Sequence, residues 1–459
     1  MTPKIRGADE IEYFSYLRSL VFDHDVEFGN EYEHFHAADP RGLAGFKATF
    51  LDLRETETGR HINFAPLGCA LLWSPFYLLA HAGVLAARAA GASVAADGYS
   101  FPYVAAAGYG SALYGLAGLL LVHDTLRRHG GFAKPAATLS VAGLWLGTPL
   151  LYYMTLAPAF SHAAGVFTVA LLVWLSLRVA ARPRASVWEW AAIGAAGGLA
   201  ALVREQDALF LIIPAGTLLT LARNEFPRRA WVTTLVRGAA LGAAAFLVFL
   251  PQLFAYRALT GRFSPSRLVA RKMSWSSPHL LQVLFDPGHG LFAWSPLLLV
   301  ATAGLVYLVV RSRGMNPRSL FDAGGTLRSP QTPQRQTVVL LALALLLQVW
   351  INGAVESWTQ AGAFGSRRFV SSTPIFAWGL AALLAAVPAR RERLAAACVS
   401  VFVWWNVGLM VQFGLRLMDR QRLEWPRVAV NQVSAVPRHL GRAAWLFFTD
   451  RERLVRDGP

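Results

Sequence analysis

Two acidic residues near the start of the chain have types and spacing suited to acid–base chemistry. If residues 7–18 are helical, Asp9 and Tyr13 share one face, because residues three or four apart are neighbours on a helix. An ionised carboxylate close to an acceptor hydroxyl can act as a general base, so Asp9 and the adjacent Glu10 are our candidate catalytic residues. The helix dipole also favours a carboxylate at a helix start, and an N-terminal cap is therefore the alternative interpretation.

A second polar group, Arg204-Glu205-Gln206-Asp207, separates the short apolar stretches 187–203 and 208–222. Both stretches are at or below the roughly 17 residues needed to cross a bilayer, so we expect this turn within or at the outer boundary of the membrane. Ionisable groups there usually face a cavity or each other. Arg204 can meet a phosphate through its forked donors while Glu205 or Asp207 orients a polar ligand. The alternative is a self-satisfied Arg204–Asp207 pair that holds the tip of a hairpin.

Three further residues are candidates for substrate binding. His162 follows Ser161 in a tight turn, where a structural role is the alternative. Arg367 and Arg368 form a basic pair in the loop before the apolar stretch 372–388 and, against the general charge bias of that face, need an anionic partner. A lipid headgroup and a polyprenyl phosphate both fit that requirement.

Metal and cofactor chemistry have little support in the sequence. It has no zinc-protease, paired-cysteine, nucleotide-binding or serine-hydrolase motif. Cys69 and Cys398 both lie in apolar stretches and are expected to be small buried side chains. We therefore expect no metal site and no cofactor, and leave a divalent cation open.

The composition indicates whether the elements that carry these residues lie in water or in a membrane. The chain has 459 residues, of which 55% are hydrophobic and 15% charged, and its mean hydropathy is +0.40. Soluble domains carry about 25% charged residues. These values exclude a soluble enzyme, a disordered chain and a secreted disulfide scaffold, and they predict an all-α polytopic membrane protein.

The net charge of +16 follows the membrane topology and gives no evidence for a nucleic-acid partner. No nucleic-acid-binding module accompanies the charge, and the basic residues collect in short loops between about ten predicted spans. The predicted spans are 102–122, 136–156, 163–179, 187–203, 208–222, 234–256, 294–311, 337–353, 372–388 and 395–416.

Counting spans puts five basic clusters on one face, which the positive-inside rule makes cytoplasmic, and leaves the Arg-rich tail 417–459 on the other face. These clusters are Arg127 and Arg128; Arg178, Arg182 and Arg184; Arg223, Arg228 and Arg229; Arg311, Arg313, Arg318 and Arg328; and Arg390, Arg391 and Arg393. The opposite, outer face then receives His162, the turn at Arg204 and the Arg367–Arg368 loop.

The chain divides into four parts. Residues 1–62 contain many of the acidic residues. They are predicted to form an extracytoplasmic loop with amphipathic helices and the candidate catalytic acid. Residues 63–100 form a membrane-embedded or juxtamembrane helix and loop, 101–416 the transmembrane bundle and 417–459 a C-terminal tail. Prolines within 63–88 favour an interpretation in which this segment does not cross the membrane.

Three stretches resemble the GT-C superfamily of membrane glycosyltransferases. Ala8-Asp9-Glu10 with Tyr13 is similar to the first extracytoplasmic loop of this superfamily, residues 59–73 to the end of that loop, and 102–128 to the next span. Members that the chain resembles include the dolichyl-phosphate-mannose protein mannosyltransferases and the lipid A aminoarabinose transferase. The resemblance implies a GT-C-like transmembrane bundle with a helical first extracytoplasmic loop.

The resemblance also implies a reaction. A sugar would pass from a polyprenyl-phosphate donor to a hydroxyl or amine at the outer face of the bacterial inner membrane, with inversion. Asp9 would act as base, and Arg204 or the Arg367–Arg368 pair would meet the charge of the leaving polyprenyl phosphate. The implied partners are this donor, a lipid, glycan or protein acceptor, and membrane lipids. We expect Asp9, Arg204 and Asp207 to converge on one outer cavity.

Two departures from the family leave other functions open. The family often has a lysine before a Pro-Pro pair where this chain reads Asn63-Phe-Ala-Pro66. The family's first transmembrane helix has no counterpart here, so either an apolar helix precedes this chain or the protein is a degenerate, non-catalytic relative. A transporter or flippase of a lipid-linked or anionic substrate is the third interpretation, because intramembrane charges also mark transport paths.

Overall fold

The computed structural model describes residues 4–53, 56–182, 185–224, 228–276, 278–312, 335–360, 362–450 and 453. Side chains of residues 223–230 and 270 are not part of this description. The predictions for the basic residues Arg184, Arg313, Arg318 and Arg328, and for the side chains of Arg223, Arg228 and Arg229, therefore lie outside the described residues.

The described part of the chain is built from α-helices, with no strand. The N-terminal helices are α1 (Ala8–Arg18), α2 (Gly29–Ala38), α3 (Ala44–Phe46) and α4 (Gly68–Ala89). The next are α5 (Phe101–Arg128), α6 (Lys134–Leu146), α7 (Leu150–Thr155), α8 (His162–Ala180), α9 (Val187–Val203), α10 (Ile212–Asn224), α11 (Arg228–Thr260), α12 (Arg267–Arg271), α13 (Leu280–Phe285), α14 (Leu291–Trp294) and α15 (Pro296–Ser312). The last are α16 (Arg335–Ala354), α17 (Thr373–Ala386), α18 (Glu392–Gly414), α19 (Trp425–Val433) and α20 (Ala435–Thr449).

Eight helical segments of the described residues are long and apolar enough to cross a membrane. They are Gly68–Ala89, Phe101–Arg128, His162–Ala180, Glu205–Ala222, Trp231–Thr260, Arg335–Ala354, Arg367–Ala386 and Ala389–Gly414. Two shorter apolar helices, α9 and α15, occupy the predicted spans 187–203 and 294–311. The prediction of an all-α polytopic membrane protein is confirmed.

The predicted span 136–156 is broken into α6 and α7. Pro149 cannot donate a backbone hydrogen bond and its ring excludes a continuous helix, so the helix ends at Leu146. Asn406 of α18 compensates for the break, because its amide donates to the carbonyl oxygens of Leu146 at 2.8 Å and Thr148 at 2.9 Å. A pattern of apolar residues does not reveal this partner, since it lies on a distant helix.

Helix α4 packs antiparallel to the first half of α5. Its Phe76 ring is 5.8 Å from the ring of Tyr114, and His81 Nδ1 is 2.7 Å from the hydroxyl of Tyr103, near the start of α5. Gly68, at the start of α4, touches the Leu202 backbone at the end of α9. Helix α4 therefore ends beside the start of α5, away from the basic end of that helix.

The residues before α4 form a compact aromatic unit that fixes α1. The rings of Tyr16 and Phe28 are 4.9 Å apart, and the Tyr32 hydroxyl donates to the carbonyl of Ile62 at 2.8 Å. Every residue of α1 from Glu10 to Leu17 is buried. Helix α1 is therefore enclosed on all sides, in contrast to the amphipathic helix expected from the sequence.

Candidate active site

Helix α1 begins with a capping arrangement that occupies Glu10. Its Oε2 atom accepts the backbone N–H groups of Arg6 at 2.9 Å and Gly7 at 2.8 Å. Burial raises the pKa of the Glu10 carboxyl to about 7, and these two hydrogen bonds oppose the shift. The structure thus places Glu10 in the N-terminal cap of α1, the alternative role considered for this pair of acids.

Asp9, the residue before Glu10, contacts the Arg367 loop. Its Oδ2 atom is 2.9 Å from Nη1 of Arg367, and the guanidinium of Arg367 lies 5.2 Å from the centroid of the Phe160 ring. The Asp9 side chain is 42% exposed and that of Arg367 19%. The carboxylate is therefore oriented by one cation and still open on one side.

Arg204 is buried in a second group with His162 and Asp207. Its Nη1 atom is 2.6 Å from Nδ1 of His162 and donates to Ser161 Oγ at 3.3 Å. Because a guanidinium can only donate, His162 Nδ1 accepts, and the His162 proton is on Nε2. Arg204 Nε is 3.9 Å from Asp207 Oδ2, beyond hydrogen-bond distance, so this pair is not the self-satisfied one considered for the hairpin tip.

The local fold explains why these side chains point inward. Helix α9 ends at Val203, Arg204 is extended, and a 3₁₀ segment, Glu205–Leu211, follows. This turn buries Arg204 and Asp207 and leaves Glu205 exposed. Gly165 of α8 allows the approach, since a Cβ there would lie 2.5 Å from Ser371 Oγ and 3.1 Å from Arg204 Cδ.

Arg368 is fixed to the Arg204 turn through glutamine side chains. Its backbone carbonyl accepts from Gln206 Nε2 at 2.9 Å, and its N–H donates to Gln360 Oε1 at 3.0 Å. Gln348 of α16 donates to the carbonyl of Gln206 at 3.0 Å. The guanidinium donates to Ser357 Oγ at 3.3 Å and has no acidic partner among the described residues.

Tyr13 connects the two groups of residues. Burial raises the pKa of its hydroxyl, the positive charge of Arg204 opposes the shift and the negative charge of Asp9 adds to it. Arg204, Arg367 and Arg368 also all act electrostatically on His162. The structure therefore brings Asp9, His162, Arg204, Asp207 and the Arg367–Arg368 pair into one neighbourhood.

Glu12 is a member of this neighbourhood to which the sequence assigned no role. Its Oε1 atom accepts the N–H of Phe64 at 2.6 Å, and its carbonyl accepts from the Asn63 side chain at 2.9 Å. Burial, and next the Asp9 carboxylate, raise the pKa of Glu12 to about 8. In the sequence, only the position of Glu12 about one turn after Asp9 indicates that it could join the site. Its burial depends on residues more than forty positions away. Asn63 supports α1 through its hydrogen bond to the Glu12 carbonyl.

The described residues contain no group of three or more His, Cys, Asp or Glu side chains that could hold a metal ion. The neighbourhood provides the half-exposed carboxylate of Asp9, the buried carboxylate of Asp207 and several hydrogen-bond donors. Arg204 Nε, His162 Nε2 and Arg368 Nη1 are buried and have no hydrogen-bond partner among the described residues. Such donors suit an anionic oxygen ligand.

Comparison with solved structures identifies the fold. The chain is similar to ArnT from Cupriavidus metallidurans bound to undecaprenyl phosphate, with a TM-score of 0.50, 17% identity, and coverage of 97% of this chain and 75% of that one. For ArnT from the same organism in the apo state, the TM-score is 0.51, the identity 15%, and the coverage 99% of this chain and 74% of that one. The chain has the ArnT GT-C fold.

Sequence comparisons identify no relative. No protein-family model matches the chain, and no curated protein matches it. The GT-C-like bundle implied by the resemblance at residues 1–130 is thus confirmed by the three-dimensional structure. At 15–17% identity this similarity establishes the fold and leaves the reaction to be argued from the site.

Proposed function

We propose that this protein is a membrane glycosyltransferase that transfers a sugar from a polyprenyl-phosphate donor to an acceptor hydroxyl or amine. The observation that carries the proposal is the contact between Asp9 and Arg367 beside the buried Arg204–His162 pair. One open carboxylate and a surplus of guanidinium groups are what such a transfer requires. That ArnT, with the same fold, was crystallised with undecaprenyl phosphate supports this donor class.

Asp9 is the proposed general base. The acceptor O–H or N–H gives its proton to the Asp9 carboxylate as the acceptor atom attacks the anomeric carbon. The new bond forms on the face opposite the phosphate, and the carbon–oxygen bond to the phosphate breaks with inversion. Arg367 holds the carboxylate in one orientation.

The arginines are proposed to stabilise the leaving polyprenyl phosphate, which departs with the electron pair. Arg368 has no acidic partner among the described residues, and Arg204 has an unused buried Nε donor. Fixed donors aimed at a developing anion stabilise the transition state more than the ground state. Gln206 and Gln348 keep these two arginine-bearing segments at a fixed spacing.

The site is proposed to face the outside of a bacterial inner membrane. Helices α5 and α17 run from the site toward Arg127, Arg128 and Arg390, which the positive-inside rule places in the cytoplasm. The contacts of α4 with the first half of α5 suit a segment that does not reach that basic face. Residues 1–62 then lie with the site on the outer side.

The decisive experiment is an assay of labelled sugar transfer from lipid-linked donors in membranes. We expect Asp9→Asn to lower transfer by about 10²–10⁴-fold, the usual contribution of a general base. Glu33→Gln, which changes an exposed acid of α2, is the matched control and should retain activity. Full activity of Asp9→Asn contradicts the proposed base, and lipid movement without any sugar transfer favours the transporter.

A further inference from the structure

The last two helices present faces that the catalytic proposal does not use. Val428 and Gln432 of α19, and Val436, Ala443 and Leu446 of α20, are buried. The α19 contact is close, because Gln432 donates to the Trp404 carbonyl of α18 at 2.7 Å. One side of each helix is therefore fixed to the bundle, and the other sides are free to meet something else.

An apolar stripe runs along the exposed side of α20. Its residues are spaced as neighbours on one helix face: Pro437, Gly441, Ala444, Trp445 and Phe448. Trp445 is 68% exposed and Phe448 74%. Helix α19 repeats the pattern with Pro426, Ala429, Val430 and Val433, of which Val433 is 75% exposed. Both stripes are continuous rather than scattered.

Two arginines border the α20 stripe on one edge. Arg438 and Arg442 are one turn apart and exposed, and neither forms an ion pair with any residue that the structure describes. A narrow apolar face with a basic border is the pattern of a helix that lies in the plane of a membrane surface. The exposed Trp445 next to this border matches the preference of tryptophan for that depth.

The pair of helices lies at the same end of the bundle as the candidate active site. The segment before α19 reaches the Arg367 loop, because the N–H of Gly362 donates to Gln421 Oε1 at 3.0 Å. Leu423 N–H donates to the carbonyl of Pro287 at 3.0 Å. These two contacts connect the C-terminal tail to the end of the bundle that holds the candidate active site. The positive-inside rule does not explain the basic residues of a tail on that side.

We propose that α19 and α20 form an interfacial anchor that binds anionic phospholipids in the leaflet facing the site. The stripe enters the boundary between headgroups and acyl chains, and Arg438 and Arg442 bind lipid phosphates. A second copy of the chain is a poorer occupant, because a two-fold contact through this stripe would bring the arginines of both copies together. This inference does not depend on the proposed transferase activity.

The first experiment measures depth in nanodiscs that each carry one copy of the full chain. Cys398, which is exposed, is changed to Ser, and a single label is attached through Phe448→Cys or, as the matched control, Thr449→Cys. We expect the label at 448 to be quenched by lipids with a shallow nitroxide and shielded at least twofold from aqueous iodide relative to 449. Equal iodide quenching at both positions overturns the proposal.

The second experiment tests the charge. We compare the thermal stabilisation of the detergent-solubilised full chain by phosphatidylglycerol with that by phosphatidylcholine. The ratio of the stabilisation by phosphatidylglycerol to that by phosphatidylcholine is expected to fall toward one in R438Q/R442Q. It should persist in R438K/R442K, which keeps the charge. An unchanged preference in R438Q/R442Q contradicts anionic-lipid binding, and shielding at 448 that requires two copies per disc assigns the stripe to a second chain.

Discussion

At the scale of single residues, the environment separates the acids of α1 into different roles. Asp9 faces a guanidinium and remains half-exposed, Glu10 caps the helix, and Glu12 is enclosed beneath the site. A chemically equivalent carboxyl thus becomes a candidate base, a cap or a buried neutral group according to its contacts. The pair Asp9–Glu10, predicted together from the sequence, is divided by the geometry of one helical turn.

The pH dependence of stability tests the assignment of Glu12. Its pKa is raised by burial to about 8 in the folded protein, so the folded state holds a proton that the unfolded state releases near its ordinary value of 4.5. The contribution of Glu12 to the free energy of unfolding is fully present below pH 4.5 and is lost as the pH rises to about 8. We expect Glu12→Gln to flatten the fall in Tm between pH 5 and 9, measured against wild type.

Glu33→Gln is the control for this measurement, since Glu33 is exposed. It should leave the slope of Tm with pH unchanged. If Glu12→Gln has the same slope as wild type, Glu12 is not a protonated buried acid in the folded protein.

At the scale of elements, the site depends on close approach between helices. Gly165 lets α8 pass beside Arg204 and Ser371, and Gly68 lets α4 start against the Leu202 backbone. These glycines are useful because they lack a side chain at a contact. The glutamines at 206 and 348 then fix the turn after α9 to α16.

Gly165→Ala is expected to displace the side chains of Arg204 and Ser371, because the added Cβ would lie 3.1 Å from Arg204 Cδ and 2.5 Å from Ser371 Oγ. We expect a loss of about 1–3 kcal/mol in stability, as for overpacked interiors. Binding of undecaprenyl phosphate, the lipid carrier of the proposed donor class, is measured by thermal shift and should fall at least tenfold. Gly242→Ala in α11, where a Cβ meets nothing within 4 Å, is the matched control and should bind normally. Equal behaviour of the two variants contradicts the role of Gly165.

At the scale of the whole molecule, the arrangement of helix ends predicts which loops are accessible from outside. Three exposed alanines serve as reporters: Ala38 before α4, Ala92 after it, and Ala389 in the turn before α18. Each is changed to Cys in a Cys398→Ser background and treated in intact cells with a membrane-impermeant maleimide. We expect labelling of Ala38→Cys and Ala92→Cys, and labelling of Ala389→Cys only after permeabilisation.

Labelling at 38 and 92 from the same side is the result required if α4 does not cross the membrane. Opposite sides for these two positions would show that α4 crosses, and residues 1–62 would then be separated from loop 90–100 by the bilayer. Outside labelling of Ala389→Cys would contradict the orientation derived from the arginine clusters.

The sequence by itself determined the properties that depend on local composition. The lengths of the apolar stretches predicted the positions of the spans, because apolar residues partition from water into lipid. The unequal distribution of arginines between the two faces predicted the orientation. The residue types at Asp9, Arg204 and Arg367 were sufficient to choose candidates and a reaction class. The resemblance of residues 8–13, 59–73 and 102–128 to GT-C enzymes pointed to the fold that the structural comparison then identified.

Only the tertiary structure decided which of these residues meet. The contact of Asp9 with Arg367, the neutral His162 beside Arg204 and the enclosure of Glu12 all join segments far apart in the chain. The break between α6 and α7 likewise depends on Asn406, which lies on α18. Sequence patterns report how each segment partitions between water and lipid, whereas these pairings result from the packing of whole helices against one another.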